Sequence, residues 1–234
     1  MIEHTAPSPL ILLTATVVEM LPLAKQLHLQ QQSPLSWQGQ VAGLDVIAQV
    51  TGMGPDRAAQ AVREAAQLCP NGRILYAGFA GGLVSTLHIG SVLCPATVIN
   101  DARQVVMLDG QMPDTLISVG RLVSTPTEKS QLASDTQAVA VDMESHAAAV
   151  TAMELGIKLT VVRSISDEAH QTLPTWSVYC ISEDGQTSGK GVARVLLTGP
   201  WRLPAMLMMG KRAKIASQSL AYFVEGKIGQ WAMN

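Results

Sequence analysis

Charged side chains are scarce in this sequence. Asp, Glu, Lys and Arg make up 15% of its 234 residues, and the formal net charge is −2. Proteins that bind nucleic acid usually carry a basic patch or stripe, so this balance argues against a nucleic-acid partner. Hydrophobic residues make up 47% of the chain, which is too apolar for a disordered protein. With neither an internal repeat nor a linker, residues 1–234 are predicted to form a single domain.

Cysteine is also rare. Cys69, Cys94 and Cys180 are odd in number and widely spaced, so we expect neither a disulfide scaffold nor a metal site. This usage is typical of the reducing cytoplasm. Glu3 and His4 do not form the basic start of a signal peptide. The apolar run Leu10–Val18 is shorter than the about 20 residues that a membrane-spanning helix needs.

Short apolar runs alternate with helical segments along the chain. Strands are predicted at Leu10–Val18, Asp45–Val50, Arg73–Ala77, Ser91–Ile99, Ala138–Val141 and Leu159–Ile165. Helices are predicted at Met20–Leu29, Arg57–Cys69, Glu144–Leu155, Gly189–Leu197 and Pro204–Val224. Glycine-rich segments at 52–54 and 78–82 are predicted to be turns or ligand loops. This alternation predicts a three-layer α/β fold, with a twisted, mostly parallel mixed sheet between helices.

Three carboxylates follow predicted strands: Glu19, Glu144 and Asp167. Ligands of open parallel sheets bind beyond the carboxyl ends of the strands, so these side chains are candidates for one shared cleft. The alternative is that each is an acidic residue favoured at a helix N-terminus. Arg163 lies inside the apolar strand 159–165 and needs a carboxylate partner, because a lone buried charge is very costly.

Other motifs are weaker. GQTSGKG at 185–191 has Gly191 where a phosphate-binding loop requires Ser or Thr, and GMG at 52–54 lacks the third glycine of a dinucleotide fingerprint. His146 and His170 have no Ser or Cys partner placed by sequence, so a nucleophilic triad is not supported.

Four segments together resemble the purine nucleoside phosphorylase and methylthioadenosine/adenosylhomocysteine nucleosidase family. They are TATVVEM at 14–20, GFAGGL at 78–83, VDMES at 141–145 and VVRSISD at 161–167. The resemblance implies a twisted, part-barrel mixed sheet wrapped by helices. It also implies an enzyme that cleaves the N-glycosidic bond of a purine nucleoside, with no cofactor and as a homo-oligomer.

The same resemblance implies residue roles. Glu144 is expected to bind the ribose 2′- and 3′-hydroxyls, and Met143 to pack on the sugar. Asp167 is expected to donate a proton to purine N7, which requires a raised pKa of the kind that partial burial provides. Glu19 is expected to position the attacking water, with Arg163 nearby. The remaining substrate contacts are assigned to Phe79, Ala80, Gly81 and Ser166.

The nucleophile departs from the phosphorylase pattern. Phosphorylases of this family bind phosphate through an arginine and a serine, and Tyr76 and Phe79 stand at those places here. An aromatic ring does not bind a phosphate oxygen, and Arg57 is the nearby candidate to compensate. With Glu19 present, water is favoured as the nucleophile, and phosphate remains the alternative co-substrate.

The C-terminal third is similar to the hopanoid-associated phosphorylase subgroup. The segments are LPTW at 173–176, Asp184-Gly185 and GPWRLPAMLMM at 199–209. This resemblance implies that adenosylhopane is converted to ribosylhopane and adenine. The alternatives are a soluble methylthioadenosine/adenosylhomocysteine nucleosidase and a non-catalytic nucleoside-binding protein of the same fold. The Met- and Leu-rich segment Pro204–Val224 is predicted to be core or subunit interface, or else a surface that contacts a lipid tail or a membrane.

Overall fold

The computed structural model describes residues 9–70, 72–182 and 184–233. Glu3 and His4, on which the prediction about a leader rests, lie outside the described residues. In the described part of the chain, no helix combines the length and the hydropathy needed to cross a membrane.

Eleven strands and six α-helices form the described fold. The strands are β1 (Leu10–Thr14), β2 (Gln30–Ser33), β3 (Ser36–Val41), β4 (Leu44–Val50), β5 (Arg73–Gly82), β6 (Val92–Leu93), β7 (Pro95–Asn100), β8 (Val105–Met107), β9 (Met112–Ser118), β10 (Ala140–Asp142) and β11 (Lys158–Asp167). The helices are α1 (Val17–Gln26), α2 (Pro55–Leu68), α3 (Pro126–Thr136), α4 (Ser145–Glu154), α5 (Gly189–Thr198) and α6 (Leu203–Ala232). Two short 3₁₀ helices cover Thr175–Cys180 and Pro200–Arg202.

All eleven strands belong to one open, mixed sheet, which confirms the predicted fold class. Its main path runs β2-β3-β4-β1-β5-β10-β9-β7-β8, while β11 pairs with β5 and β6. The long strand β5 is the branch point: its first residues pair in parallel with β1, its last residues pair antiparallel with β10, and β11 runs parallel along its length. The sheet is therefore mixed: it has parallel pairs on both sides of the antiparallel β5–β10 pair, and the pairs at its edges are antiparallel.

Two hydrophobic clusters lie on opposite faces of the sheet. Alternate residues of β1 divide between them, Ile11 and Leu13 packing with α2 and α4, and Leu10 and Leu12 packing with α1 and α6. A strand with both faces buried has no polar alternation, which explains why β1 reads as a continuous apolar run.

The first strand ends earlier than predicted. It stops at Thr14, because Thr16 is the N-cap of α1 and forms a capping box with Glu19. Glu19 therefore belongs to the first turn of the helix. The signal was present in the sequence, since Thr followed three residues later by Glu is the pattern of a capping box.

The segment predicted as a glycine loop at 78–82 is the second half of strand β5. A Cβ atom on Gly78 would lie 3.0 Å from Arg163 Nη1 and 3.1 Å from Glu19 Oε1. Glycine is needed here because two charged side chains cross the strand at this residue.

The antiparallel edge strands were not predicted. All four residues of β2 are exposed and polar, so the segment shows no alternation of apolar and polar residues. The last helix is longer than predicted, since α6 continues to Ala232.

Candidate active site

The carboxylates predicted to share a cleft lie around the carboxyl-terminal half of β5. Side-chain atoms of Glu19 and Arg163 lie next to the point that a Cβ atom on Gly78 would occupy. Asp167 Oδ2 lies 3.0 Å from the corresponding point at Gly81. Glu144, the N-cap of α4, is near enough to Arg163 and Glu19 for their charges to act on it. The structure thus brings together residues from four separate segments of the chain.

Glu19 is held by three hydrogen bonds. Its Oε2 accepts from the Thr16 backbone N–H at 2.8 Å and from the Thr16 hydroxyl at 2.9 Å, and its Oε1 accepts from the Phe79 N–H at 2.8 Å. Burial raises the pKa of Glu19, while the Phe79 N–H and Arg163 oppose that shift. A carboxylate offers about four acceptor sites, so one remains for a water or a substrate hydroxyl.

A second capping box in the chain shows what the motif does by itself. Thr125 and Glu128 form the same pair at the start of α3. The Glu128 side chain is 38% exposed, whereas Glu19 is only 4% exposed. The Ser124 and Thr125 N–H groups lower the pKa of Glu128. The upward shift at Glu19 is therefore a property of its buried location rather than of the helix cap.

Arg163 has the carboxylate partner that its place in a strand demands. Its Nε donates to Asp142 Oδ2 at 2.7 Å, both side chains are buried, and its guanidinium lies 4.8 Å from the centre of the Tyr76 ring. Asp142 also accepts hydrogen bonds from the hydroxyls of Ser118 and Ser145. Sequence reasoning did not single out Asp142, although it stands in the VDMES segment.

Glu144 is a buried carboxyl beside another carboxylate. Its Oε1 accepts from the Gly54 N–H at 2.9 Å, which places the glycine turn after β4 against α4. Burial, and then repulsion by Asp142, raise the pKa of Glu144 to about 7. A carboxyl in this condition can accept hydrogen bonds from vicinal hydroxyls, and its proton is readily lost near neutral pH.

Asp167 has a partner that the sequence did not reveal. Lys129 Nζ, from α3, lies 2.5 Å from Asp167 Oδ2, and both side chains are almost completely buried. Lys129 Nζ also donates to the Glu168 and Gln171 carbonyls, and the Ser166 hydroxyl donates to Asp167 Oδ1 at 2.8 Å. Asp167 is therefore fully buried and ion-paired, whereas the sequence indicated only that partial burial could act on it. The sequence of residues 101–127 showed no regular pattern, and α3 begins only at the end of this region. Nothing in the sequence therefore predicted that Lys129 lies beside β11.

A bulge in β11 shapes this end of the site. The pairing with β5 shifts register between Ile165 and Asp167, so Ser166 is the extra residue. Bulges re-aim the neighbouring side chains. Here Asp167 comes to lie against Gly81, whereas Ser166 is half-buried.

The other predicted substrate contacts occupy the same strand ends. Phe79 and Met143 are half-buried, Ala80 is buried in β5, and Gly81 pairs with both Val141 and Asp167. Their roles as substrate contacts stay predictions.

Tyr76 and Phe79, which the resemblance assigns to the phosphate positions, both lie in β5. The Tyr76 ring is fully buried, and its hydroxyl lies 3.2 Å from the Thr51 hydroxyl. Arg57 is exposed on α2 and lines a surface cavity of about 540 Å³, whose other lining residues include Ser36, Gln60 and Glu64 but none of the clustered carboxylates. Arg57 therefore faces a cavity other than the carboxylate cluster.

Comparisons with known proteins show the family and the fold. The sequence matches the family described as the phosphorylase superfamily over residues 9–116 and 113–197. No match was found among curated proteins. The fold is similar to 5′-methylthioadenosine/S-adenosylhomocysteine nucleosidase of Helicobacter pylori, with a TM-score of 0.72 and 15% identity over 95% of this chain and 98% of that one.

Two further solved structures share the fold. Futalosine hydrolase of Helicobacter pylori has a TM-score of 0.72 and 16% identity over 95% of this chain and 98% of its own. The 5′-methylthioadenosine nucleosidase of Arabidopsis thaliana has a TM-score of 0.69 and 17% identity over 97% and 96% of the two chains.

Proposed function

This chain belongs to the phosphorylase superfamily, and from that premise we propose that it hydrolyses the N-glycosidic bond of an adenine nucleoside. The observation that carries the proposal is the buried Glu19 carboxylate, whose Oε1 binds the Phe79 N–H beside Arg163. It stands where the resemblance assigns the carboxylate that activates water. The scheme requires no cofactor.

Water is the nucleophile in this proposal. Glu19 has a free acceptor site for a water proton, and its raised pKa suits a general base better than that of an exposed carboxylate. As the bond from the sugar C1′ to purine N9 breaks, the water oxygen bonds to C1′ and its proton passes to Glu19. A phosphate dianion would instead be repelled by the carboxylates of Glu19, Glu144 and Asp142. Arg163 is the cation among them.

The leaving purine takes a proton at N7. Asp167 is the donor in the proposal; it takes up its proton from solvent before each turnover, and Lys129, whose Nζ lies 2.5 Å from Oδ2, fixes the position of its carboxyl group. A positioned acid of this kind typically contributes about 10²–10⁴-fold to the rate. Lys129 acts through Asp167 and is a positioning residue.

Glu144 binds the ribose hydroxyls in this scheme. Charge-assisted hydrogen bonds to a carboxylate are worth roughly 1.5–3 kcal/mol each. The positive charge that develops on the sugar in the transition state, as in glycoside hydrolysis, would hold Glu144 in its ionised form. Met143, at the start of α4, packs on the sugar, and Phe79, Ala80, Gly81 and Ser166 complete the substrate contacts.

Adenosylhopane is the substrate we propose, with ribosylhopane and adenine as products. Support comes from the resemblance of LPTW, Asp184-Gly185 and GPWRLPAMLMM to the hopanoid-associated subgroup. Gly185 lies next to the helix that carries Glu19: its carbonyl accepts from the Val17 N–H at 2.9 Å, in the first turn of that helix.

Product analysis tests the proposal. Purified protein is incubated with adenosylhopane and with methylthioadenosine, each with and without phosphate, and the products are identified by mass. Release of adenine and the free ribosyl sugar from adenosylhopane is expected. Turnover of methylthioadenosine in preference to adenosylhopane would favour the soluble nucleosidase, and binding of either nucleoside without turnover would indicate a binding protein. A homo-oligomeric state is a further proposal, which sedimentation equilibrium tests.

A further inference from the structure

The end of α5 and the beginning of α6 expose large apolar side chains. Leu197 is 84% exposed and Trp201 is 74% exposed. Leu203, Leu207 and Met208 are each about half exposed. These five residues are called the α5–α6 surface below. Contiguous apolar surface of this kind commonly marks an interaction site.

The first half of α6 packs differently from the second half. The buried residues of this helix all lie between Ala216 and Ile228, where α6 packs against the sheet and α1. None of residues 203–215 is buried. Because this half carries LPAMLMM but fills no core, its apolar side chains are not explained by packing within the chain.

The charges of the chain segment that carries this surface have one sign. Residues 185–224 contain no Asp or Glu. They contain six cations: Lys190, Arg194, Arg202, Lys211, Arg212 and Lys214. Among the residues that the structure describes, none of the six forms an ion pair with a carboxylate; Arg202 donates to the Thr198 hydroxyl and Arg212 to the Met208 sulfur.

The combination of exposed apolar side chains with six cations and no acid in the same segment of chain fits an anionic surface. We propose that the α5–α6 surface docks the protein on an anionic lipid bilayer. Trp201, Leu203 and Leu207 would enter the headgroup region, and Lys211, Arg212 and Lys214 would meet the lipid charges, as in other interfacial basic helices.

A second copy of the chain is the less favourable occupant. In a two-fold symmetric dimer the same patch lies on both sides of the interface. The six cations of one copy would then face the six of the other with no acid between them, and like charges across an interface oppose association. A bilayer that contains acidic lipids supplies the opposite charge.

The surface is connected to the site through a short segment. The bridge between Ile181 and Thr187 closes a hairpin that holds Gly185 against the first turn of α1, and α5 follows two residues after it. Docking would give the site access to a nucleoside whose lipid tail lies in the membrane, and this purpose rests on the proposed function. The docking itself does not depend on the proposed function.

Vesicle flotation tests the inference. The full chain is mixed with vesicles of pure phosphatidylcholine or of equal parts phosphatidylcholine and phosphatidylglycerol, at low and high salt. We expect binding to the acidic vesicles, and weaker binding at high salt because salt screens the charges. Trp201→Ser/Leu207→Ser should reduce the partition coefficient at least about tenfold. Lys211→Glu/Lys214→Glu should reduce it at least about tenfold as well.

Matched control variants lie elsewhere on the surface. Met107 is 71% exposed on β8, so Met107→Ser removes an equally exposed apolar side chain. Lys25→Glu/Lys158→Glu changes the net charge by the same amount at two exposed lysines of α1 and β11. Both controls should bind vesicles like the unmodified protein, and circular dichroism should show that all variants are folded.

Three results would overturn the inference: failure of the unmodified protein to float with acidic vesicles, equal losses in the controls, or a dimer in sedimentation that Trp201→Ser/Leu207→Ser dissociates while no protein floats. Release of adenine from adenosylhopane is measured in parallel. Absence of turnover in every protein would contradict the proposed function and leave the flotation result to decide the docking.

Discussion

Replacing Glu144 with Gln should make the protein more stable at alkaline pH and less active. Glu144 has a pKa of about 7 in the folded protein, against an ordinary value of 4.5. At 1.36 kcal/mol per pKa unit, the ionised carboxylate costs the folded state up to about 3 kcal/mol. The amide carries no charge, and its oxygen can still accept from the Gly54 N–H.

The sign follows from the direction of the shift. A folded-state pKa above the unfolded value means that the folded protein binds more protons between pH 4.5 and about 7. The stabilisation from holding that proton is complete below the lower value and is lost as the pH rises through the upper one. The stability of Glu144→Gln should therefore match that of the unmodified protein near pH 4.5 and exceed it above a pH of about 7.

Thermal and urea unfolding at both ends of this pH range measure the difference. For a chain of this size, about 3 kcal/mol corresponds to a rise in Tm of roughly 6–12 °C at alkaline pH. Turnover should fall. Removing the 2′-hydroxyl from the substrate should reduce turnover less in the variant than in the unmodified protein. A variant that is no more stable at alkaline pH, or in which removing the 2′-hydroxyl reduces turnover as much as in the unmodified protein, would refute the reasoning.

Three further variants test other parts of the site. Asp167→Asn should nearly abolish release of the base. It should also destabilise the fold by roughly 3–5 kcal/mol, because it leaves Lys129 buried without a carboxylate. The double variant Asp167→Asn/Lys129→Met should regain stability in urea unfolding but not turnover, and an active double variant would remove Asp167 from the mechanism. Lys129→Gln should slow turnover and change its pH profile, whereas an unchanged profile in a folded variant would limit Lys129 to a structural role. Gly78→Ala should cost about 1–3 kcal/mol, because its Cβ would press on Arg163 Nη1 and Glu19 Oε1 at 3.0 and 3.1 Å; Gly120→Ala, which meets nothing within 4 Å, is its control, and equal effects would contradict the packing argument.

The buried centre of the fold was predictable because strands such as β1 and β11 are covered on both faces and therefore appear as apolar runs. The edge strand β2 was not, since an exposed polar strand lacks a hydrophobic period. The strand in 78–82 was mistaken for a loop because its glycines were assigned to turns. The structure shows instead that Gly78 and Gly81 make room for Arg163, Glu19 and Asp167.

The site was predictable only in part. Glu19 and Asp167 come at the ends of strands that are parallel to β5, and such ends meet at one end of the sheet. Glu144 follows β10, which pairs antiparallel with the last residues of β5, so its place beside them did not follow from that rule. A carboxylate partner for Arg163 was required on energetic grounds, but its identity as Asp142 was fixed by pairing between distant strands. Lys129 was missed because a lysine in a helix is ordinarily exposed, and only the tertiary packing of α3 against the end of β11 makes it a buried partner of Asp167.

The central claim is that Glu19 activates water. The most direct measurement compares Glu19→Gln with Glu128→Gln, since both replace the glutamate of a Thr-x-x-Glu capping box. Turnover of an adenine nucleoside is followed by product mass, with increasing phosphate. We expect the free ribosyl sugar as product, a rate that does not rise with phosphate, a loss of about 10²–10⁴-fold in Glu19→Gln, and little change in Glu128→Gln. A ribose 1-phosphate product whose rate saturates with phosphate, or equal rates in the two variants, would contradict the account.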